Sequence, residues 1–233
     1  MYLSIKEGAI FVADSHFNKK NQEFLYFLNK IKTKEVETTQ LFLMGDMIDF
    51  ISGESKYFII QNKEIINILN ELSNNIEIIY LEGNHDYNLK SLFPNIVVIP
   101  REKQPLVGKL SNDKIINLSH GDNFSDWKYN FYCIIIRNKY LLHFLNFLDV
   151  NFFISKKIEN GLLKKNICYK ILDFEKIIKK RLKNYNCDIV IEGHFHQSGR
   201  YGIDNKEYIN VPSLCCQKKY LKLEKLEFKG KNI

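Results

Sequence analysis

Five short apolar runs punctuate the chain, and each closes on polar residues: AIFVAD (9–14), LFLMGD (41–46), IEIIYLEGNHD (76–86), KIINLSHGD (114–122) and CDIVIEGHFH (187–196). Apolar runs of this length, bounded by polar residues, predict strands buried on both faces. Between the first two, Phe24, Phe27, Leu28 and Ile31 recur at helical spacing, and between the next two Ile65, Ile66, Ile68, Leu69 and Leu72 do the same. Strand alternating with helix predicts an α/β sheet with helical crossovers. The end of the chain returns to a strand pattern in EYINVPSL and LKLEKLEF. One stretch breaks the rhythm. From Phe124 to about Ile171 the pattern is of consecutive helices dense in aromatics, among them Trp127, Tyr129, Phe131, Tyr140, Phe144 and Phe147. It predicts a helical insertion, residues 124–171, within one domain spanning 1–233.

Composition adds a charge asymmetry. The chain of 233 residues is 45% hydrophobic, enough to bury a large core, and carries a formal charge of +7. Between Lys156 and Lys183 there are ten basic and three acidic residues, a local excess equal to that of the whole chain. Such a patch suits an anionic partner, whereas the simpler reading is a solvated helix face. The five cysteines make an odd count without CxxC or zinc-finger spacing, and no apolar leader precedes the first run. Those features predict a reducing, cytoplasmic setting, with Cys215 and Cys216 as core residues. No run of about 18 apolar residues occurs, so no membrane span is predicted. His143, within LLHFLNFL, reads as a surface or packed residue of a helix.

The candidate chemistry lies where the five runs end. Asp14-Ser15-His16 follows the first, Gly45-Asp46 with Asp49 the second, and Gly83-Asn84-His85-Asp86 the third. His120-Gly121-Asp122 follows the fourth and Gly193-His194-Phe195-His196 the fifth, so these ends hold five of the six histidines. In open α/β sheets, sites form at the carboxyl ends of strands. Imidazole, carboxylate and an Asn amide oxygen, without thiolate, suit Mn²⁺, Fe²⁺ or Zn²⁺. The ligands are too many for one ion, and two metals sharing a carboxylate fit the chemistry of phosphatases and nucleases. The glycines allow sharp turns that deliver the next side chain into a cleft. Neither a G-x-S-x-G nor a Walker pattern offers a rival scheme.

The series Asp14-x-His16, Gly45-Asp46-x-x-Asp49, Gly83-Asn84-His85-Asp86, His120-Gly121-Asp122, Gly193-His194-x-His196 resembles the calcineurin-like metallophosphoesterase superfamily, in its motif order across residues 9–196. The resemblance implies a four-layer α/β/β/α sandwich. It implies that Asp14, His16, Asp46 and His196 hold one metal, and that Asp46, Asn84, His120 and His194 hold the other, with Asp46 bridging. Mn²⁺ is the first expectation for both ions. His85 is implied to stand by the phosphoryl oxygens, where an imidazolium stabilises charge or protonates a leaving group. Asp86 is expected either to orient His85 or to cap its turn, and Asp49 either to support a ligand or to open a helix.

Within the superfamily, GDMIDFISG and HGDNFSDWKYNFYCIIIRNKYLLHFLNFL, then a Lys-rich helix and ILDFEKIIKKRL, are similar to the UDP-2,3-diacylglucosamine hydrolases of lipid A synthesis. That family carries a helical lid after its H-G-D motif, so the insertion is implied to receive acyl chains, whereas the simpler reading is that its aromatics form a small helical subcore. Asn84, His85, His194, Asp126, Lys164 and Lys165 are implied to contact substrate. The expected reaction is hydrolysis of the pyrophosphate to lipid X and UMP, at a lipid-linked nucleotide partner and beside an anionic membrane surface. One departure is that the family's Arg after Gly-Asn is here His85. The alternatives are another phosphodiesterase or nuclease of the superfamily, for which the Lys156–Lys183 stretch would bind nucleic acid, and a scaffold without activity.

Overall fold

The computed structural model describes residues 2–233. In chain order its first half contains β1 (Leu3–Ser4), β2 (Ile10–Val12), α1 (Glu23–Lys32), β3 (Gln40–Leu43), β4 (Ile51–Ser52), α2 (Lys56–Gln61), α3 (Lys63–Leu72) and β5 (Glu77–Leu81). There follow β6 (Asp86–Tyr87), β7 (Val97–Ile99), β8 (Leu106–Lys109), β9 (Ile115–Ser119), α4 (Trp127–Ile136), α5 (Lys139–Leu148), α6 (Phe153–Leu162) and α7 (Phe174–Leu182). The chain ends in β10 (Ile189–Glu192), β11 (Gly199–Ile203), β12 (Lys206–Asn210), α8 (Leu214–Gln217), β13 (Lys219–Glu224) and β14 (Glu227–Asn232). Each predicted apolar run contains a strand.

Two six-stranded sheets result, ordered β14-β13-β2-β3-β5-β7 and β1-β8-β9-β10-β12-β11. The alternation of side chains along each strand sorts them into layers. Ile10, Val12, Leu41, Leu43, Ile78 and Tyr80 pack against α1 and α3. Phe11, Phe42, Ile79 and Leu81 point the other way and meet Ile116, Leu118, Ile189, Ile191 and Ile209 between the sheets. Register places Phe11 beside Phe42, and their rings stack at 4.5 Å. On the far side, Val190 and Tyr208 pack against Phe174, Ile178 and Leu182 of α7. The order is helix, sheet, sheet, helix: the four-layer sandwich. Every central strand is covered on both faces, which is why its sequence is a continuous apolar run.

The helices between β9 and β10 are built differently. Among the described residues, α4 buries only Cys133, α5 only Leu142 and α6 only Ser155. Trp127 (73% exposed), Phe131, Phe144 and Phe147 (81%) lie open to solvent, so these aromatics form no subcore. His143 is exposed, as its setting predicts. Polar contacts tie these helices to the body. Arg137 Nη2 donates to Gly83 O (2.7 Å), Asn88 Nδ2 donates to Arg137 O (3.0 Å), and Tyr57 Oη donates to Glu159 (3.1 Å).

Two expectations need correction. Arg181, counted in the basic patch, is buried and forms a two-point ion pair with Glu192 (2.6 and 2.7 Å), while Lys176 and Lys179 pair with Asp173 and Glu175. The free cationic surface is smaller than the sequence count. Cys168 and Cys216 form a disulfide across 48 residues, leaving Cys133, Cys187 and Cys215 free. The fold therefore presents three free thiols and not five, because local spacing rules cannot see a pairing made by tertiary structure. Cys215 and Cys216 are half-buried rather than core residues. No helix of the described residues is long and apolar enough to cross a membrane.

Candidate metal centre

Each strand end turns sharply to aim its polar side chain inward. Asp14, His16, Asp46, His194 and His196 all adopt positive φ, between 43° and 65°. For L residues this conformation costs roughly 1–2 kcal/mol each, so the surrounding bonds must hold it. Asp14 N donates to Gly45 O (3.1 Å), His16 N to Asp46 O (3.0 Å), and His194 N to Asp14 Oδ1 (2.9 Å). Two glycines are required by space. A Cβ on Gly45, itself at φ 88°, would collide with the His120 ring, and one on Gly83 would collide with the Asp46 carboxylate.

These turns bring seven candidate ligands together. Donor atoms of Asp14, His16 and His196 lie within 4.8 Å of one another, as do those of Asp46, His120 and His194. Asp46 Oδ2 stands between the two groups, 3.8 Å from His16 Nε2 and 3.5 Å from His120 Nε2. Asn84 Oδ1 joins the second group, 3.2 Å from His120 Nε2. His85 also lies near His16 and Asp46, with its ring 4.9 Å from that of His16.

The donor set fits a pair of divalent cations. His16 Nε2 faces His196 Nε2 at 3.3 Å, and His120 Nε2 faces His194 Nδ1 at 3.2 Å. Nitrogen lone pairs converge this way when a cation stands between them. The opposite nitrogens are already used: His120 Nδ1 bonds Met44 O and His196 Nδ1 bonds Ile167 O, each at 2.9 Å. A donor N–H on that side makes the inward nitrogen the one that gives up its proton to a cation, the usual arrangement of a metal-binding imidazole. Asp14 Oδ2 is buried with no partner among the described residues, a further acceptor awaiting a cation.

The neighbours of His85 differ from expectation. Its Nδ1 bonds the backbone carbonyl of Asp49 at 2.5 Å, leaving Nε2 for the cleft. Asp86 does not orient it. The Asp86 carboxylate instead accepts from the N–H groups of Asp46, Met47 and Gly83 and from Tyr80 Oη, at 2.6–3.0 Å. Asp86 therefore clamps the Asp46 turn, and the catalytic expectation for it gives way to the structural one. The Asp49 carboxylate approaches His16 Nδ1 at 3.5 Å. Only the His85 contact is a hydrogen bond; His16 Nδ1 is buried without a hydrogen-bond partner among the described residues.

Charge in the centre is tightly coupled. Burial opposes ionisation of Asp46, but the imidazoles of His120, His85, His16 and His194 outweigh it and hold the carboxylate well below its usual range. Burial also disfavours charge on His120, yet Asp46, Asp122, Asp14 and Asp86 lift it to about 9. Burial and the nearby His120 push His194 down to about 4. Asp86 rises to about 7 through burial and the Asp46 charge.

A cavity of about 300 Å³ opens over this cluster, lined by His16, Asp46, Asn84, His85, His194 and His196 together with Lys165, Asn166, Ile167, Tyr169 and Phe195. Lys165 is thus at the cleft, whereas Lys164 is exposed outside it. Asp126 caps α4, its carboxylate accepting from Tyr129 N at 2.8 Å, and does not line the cavity. Sequence reading passed over Arg101 and Arg137. Arg101 Nε donates to the buried Asp122 carboxylate (2.7 Å) and its Nη2 to Asn130 of α4 (2.8 Å). Arg137 binds the carbonyl immediately before Asn84. No local motif marks these arginines; the one available hint was an unexplained acid in His120-Gly121-Asp122.

Comparison with known proteins agrees with this geometry. The chain is 29% identical over 218 residues to UDP-2,3-diacylglucosamine hydrolase of Wigglesworthia glossinidia brevipalpis, covering 86% of this chain and 84% of the relative. It is 24% identical to the hydrolase of the same name from Blochmanniella pennsylvanica (strain BPEN), over 96% and 94% of the two chains. Among solved structures, a cold-active protein tyrosine phosphatase (I115M mutant) superposes with a TM-score of 0.50 at 15% identity, covering 98% of this chain and 78% of that one, a likeness of fold alone. The calcineurin-like phosphoesterase family matches residues 9–198, the span that holds all seven candidate ligands. With that match over most of its length, the chain belongs to the calcineurin-like phosphoesterases, metal-dependent hydrolases of phosphoesters.

Proposed function

We propose that this phosphoesterase hydrolyses the pyrophosphate of UDP-2,3-diacylglucosamine to 2,3-diacylglucosamine 1-phosphate and UMP. Asp14, His16, Asp46 and His196 hold one metal and Asp46, Asn84, His120 and His194 the other, with Mn²⁺ the favoured ion. Metals there supply the Lewis acidity that polarises phosphoryl oxygens and makes water nucleophilic. The protein's own part is orientation and proton movement. The Asp49 carbonyl accepts from His85 Nδ1–H, so that a second proton, carried on Nε2, is the one that serves the oxygens of the scissile phosphate. Lys165 at the cleft meets the diphosphate. Asn84 and His194 contact substrate as well as metal, while Asp126 and Lys164 act, if at all, from outside the cavity.

The observation that carries the lipid reading is the exposed apolar surface of α4–α6, in an insertion that binds the carbonyl before Asn84 through Arg137 and leads into the cleft wall at Lys165, in a chain whose relatives are named for a diacylated nucleotide sugar. Exposed aromatics of this kind mark a binding surface rather than a core. As a lid they receive the acyl chains, and with the exposed Lys156, Lys157, Lys164 and Lys165 they suit the anionic face of a membrane; on this reading the enzyme is peripheral, on the cytoplasmic side. The nuclease reading is the weaker one, since Arg181, Lys176 and Lys179 are already paired.

The test is UMP release by the Mn²⁺-loaded chain from the diacylated substrate, its deacylated analogue and single-stranded DNA. Strong preference for the diacylated compound is expected. Equal turnover of the deacylated analogue, or cleavage of DNA, overturns the lipid assignment. Binding to anionic but not zwitterionic vesicles tests the membrane part separately.

A further inference from the structure

The segment joining α6 to α7 has no regular structure between residues 165 and 171, yet it forms one wall of the metal cleft. Ile167 O accepts the Nδ1–H bond that orients His196, at 2.9 Å. Gln197 holds the same segment twice, accepting from Ile171 N (2.8 Å) and donating to Tyr169 O (3.0 Å). Between those contacts stands the Cys168–Cys216 disulfide. Cys216 lies on α8, 3.7 Å from His196 Nδ1. α8 is itself fastened to the first metal loop, where Ser213 Oγ donates to Asp14 O (2.8 Å) and Leu214 N to Ala13 O (2.9 Å). The disulfide therefore joins a loose cleft wall to a rigid block carrying Asp14, and both sides of the joint touch His196. Cys168 is an exposed residue, so a reductant approaches the disulfide from that side.

We propose that Cys168–Cys216 is a redox modification site: a dithiol reductant opens it and frees the cleft wall, and reoxidation clamps the wall back onto the His196 side of the centre. In the opening step one thiolate of the reductant attacks Cys168 Sγ, and the S–S bond breaks with its electron pair leaving on Cys216, which takes up a proton. The reductant's second thiolate then attacks the mixed disulfide, freeing Cys168 as a thiol. Two electrons pass to the protein and the reductant ends as its own disulfide. Without the covalent tie, the wall keeps three hydrogen bonds and the packing of Ile171 against the α7 cluster, and the carbonyl that partners His196 Nδ1 is no longer fixed at its neighbour Cys168.

This inference rests on the metal-centre reading for its affinity readout only. With the full chain, oxidised protein should titrate three thiols after denaturation, from Cys133, Cys187 and Cys215, and dithiothreitol-treated protein all five. Reduction should weaken Mn²⁺ binding roughly tenfold, the lower end of the range for losing a partner that orients a metal ligand. Cys168→Ser, at an exposed position, should reproduce that affinity without reductant and should not respond to dithiothreitol, which separates the effect from chelation. Amide exchange across 165–171 should quicken in the reduced protein whether or not metal binds. Five thiols in the oxidised protein, or an unchanged exchange pattern on reduction, overturns the proposal. Faster exchange with no Mn²⁺ binding in either state would sustain the clamp and count against the metal assignment instead.

Discussion

The metal centre and the helical insertion answer opposite demands, although the helices behind the one and those of the other share the same kind of local sequence. Both set aromatic or aliphatic residues at helical spacing among polar ones. In α1 the apolar residues Phe24, Phe27, Leu28 and Ile31 are all buried, whereas in α5 Leu142 alone is. The difference is context: α1 lies on a sheet, and α5 has no layer above it. The metal centre is thus over-determined, with strained residues held by buried bonds, while the insertion is held at a few polar points and keeps its apolar surface free. A rigid centre with an open apolar cover is what chemistry on an amphiphile requires: fixed ligands for the phosphates and adaptable surface for the chains.

The largest break in this comparison comes at the rigid pole. Asp46 Oδ2 stands between both ligand groups, so Asp46→Asn removes the one charge they share. Activity should fall by more than about 10⁴-fold, and metal analysis should find both ions lost or weakened. Two firmly bound metals in this variant would show that Asp46 does not bridge them.

His85→Ala comes next. The imidazole is fixed by the Asp49 carbonyl, so its loss should spare metal content and slow turnover by roughly 10²–10⁴-fold. Loss of an ion would make His85 a ligand, which its position near His16 and Asp46 permits. Purified variant protein analysed for metal and for kcat separates the two roles.

The rigid pole was legible in the sequence because its causes are local. Five apolar runs ending in His, Asp and Asn needed only strand geometry to converge, and glycines such as Gly45 marked the turns. What escaped was whatever depends on tertiary pairing. Asp86 seemed free to orient His85, yet three backbone N–H groups and Tyr80 claim its carboxylate. Arg101 and Arg137 belong to no local motif, and the Cys168–Cys216 pair spans 48 positions. Arg181 read as surface charge until Glu192 arrived from β10. Exposure of the insertion was equally hidden, since a helix cannot announce that nothing will cover it.

Proton linkage sharpens the rigid side further. In the metal-free protein His120 holds its proton up to about 9, above its usual 6.5. That raised value contributes stability below about 6.5, and the contribution is lost as pH rises toward 9. Metal needs the neutral imidazole, so its binding at pH 7.5 should release a proton, and affinity should rise up to about tenfold per pH unit before levelling near 9. Apo stability and metal affinity should therefore run in opposite directions over this range. Calorimetry in buffers of different ionisation enthalpy reads the released proton, and zero release would contradict a charged His120.

The insertion should respond by substrate rather than by fold. Trp127, Phe131, Phe144 and Phe147 bury little in the free protein, so Ser at each should leave thermal stability nearly unchanged. If acyl chains cover them, each should cost on the order of 1–3 kcal/mol of binding, seen as a raised KM for the diacylated substrate. Hydrolysis of a small aryl phosphodiester should be spared. Equal loss on both substrates in a folded, metal-loaded variant would remove the lipid role and leave the phosphoesterase centre standing.

The smallest effect lies at the seam between the two regions, where neighbouring lysines differ in position. Lys165 lines the cleft and Lys164 does not, although sequence offers no reason to prefer either. An exposed ammonium contributes at most about 1 kcal/mol to an ionic contact, so Lys165→Ala should raise KM up to about fivefold. The increase should shrink as salt screens the contact between ammonium and diphosphate. Lys164→Ala should change KM for the diacylated substrate by less than half that amount, and its effect should vanish on a soluble phosphodiester. Steady-state kinetics for both variants at low and high salt makes the comparison. A larger loss at Lys164 would mean that the cleft wall is turned when substrate binds, so that the face now open to solvent becomes the one that meets the phosphates.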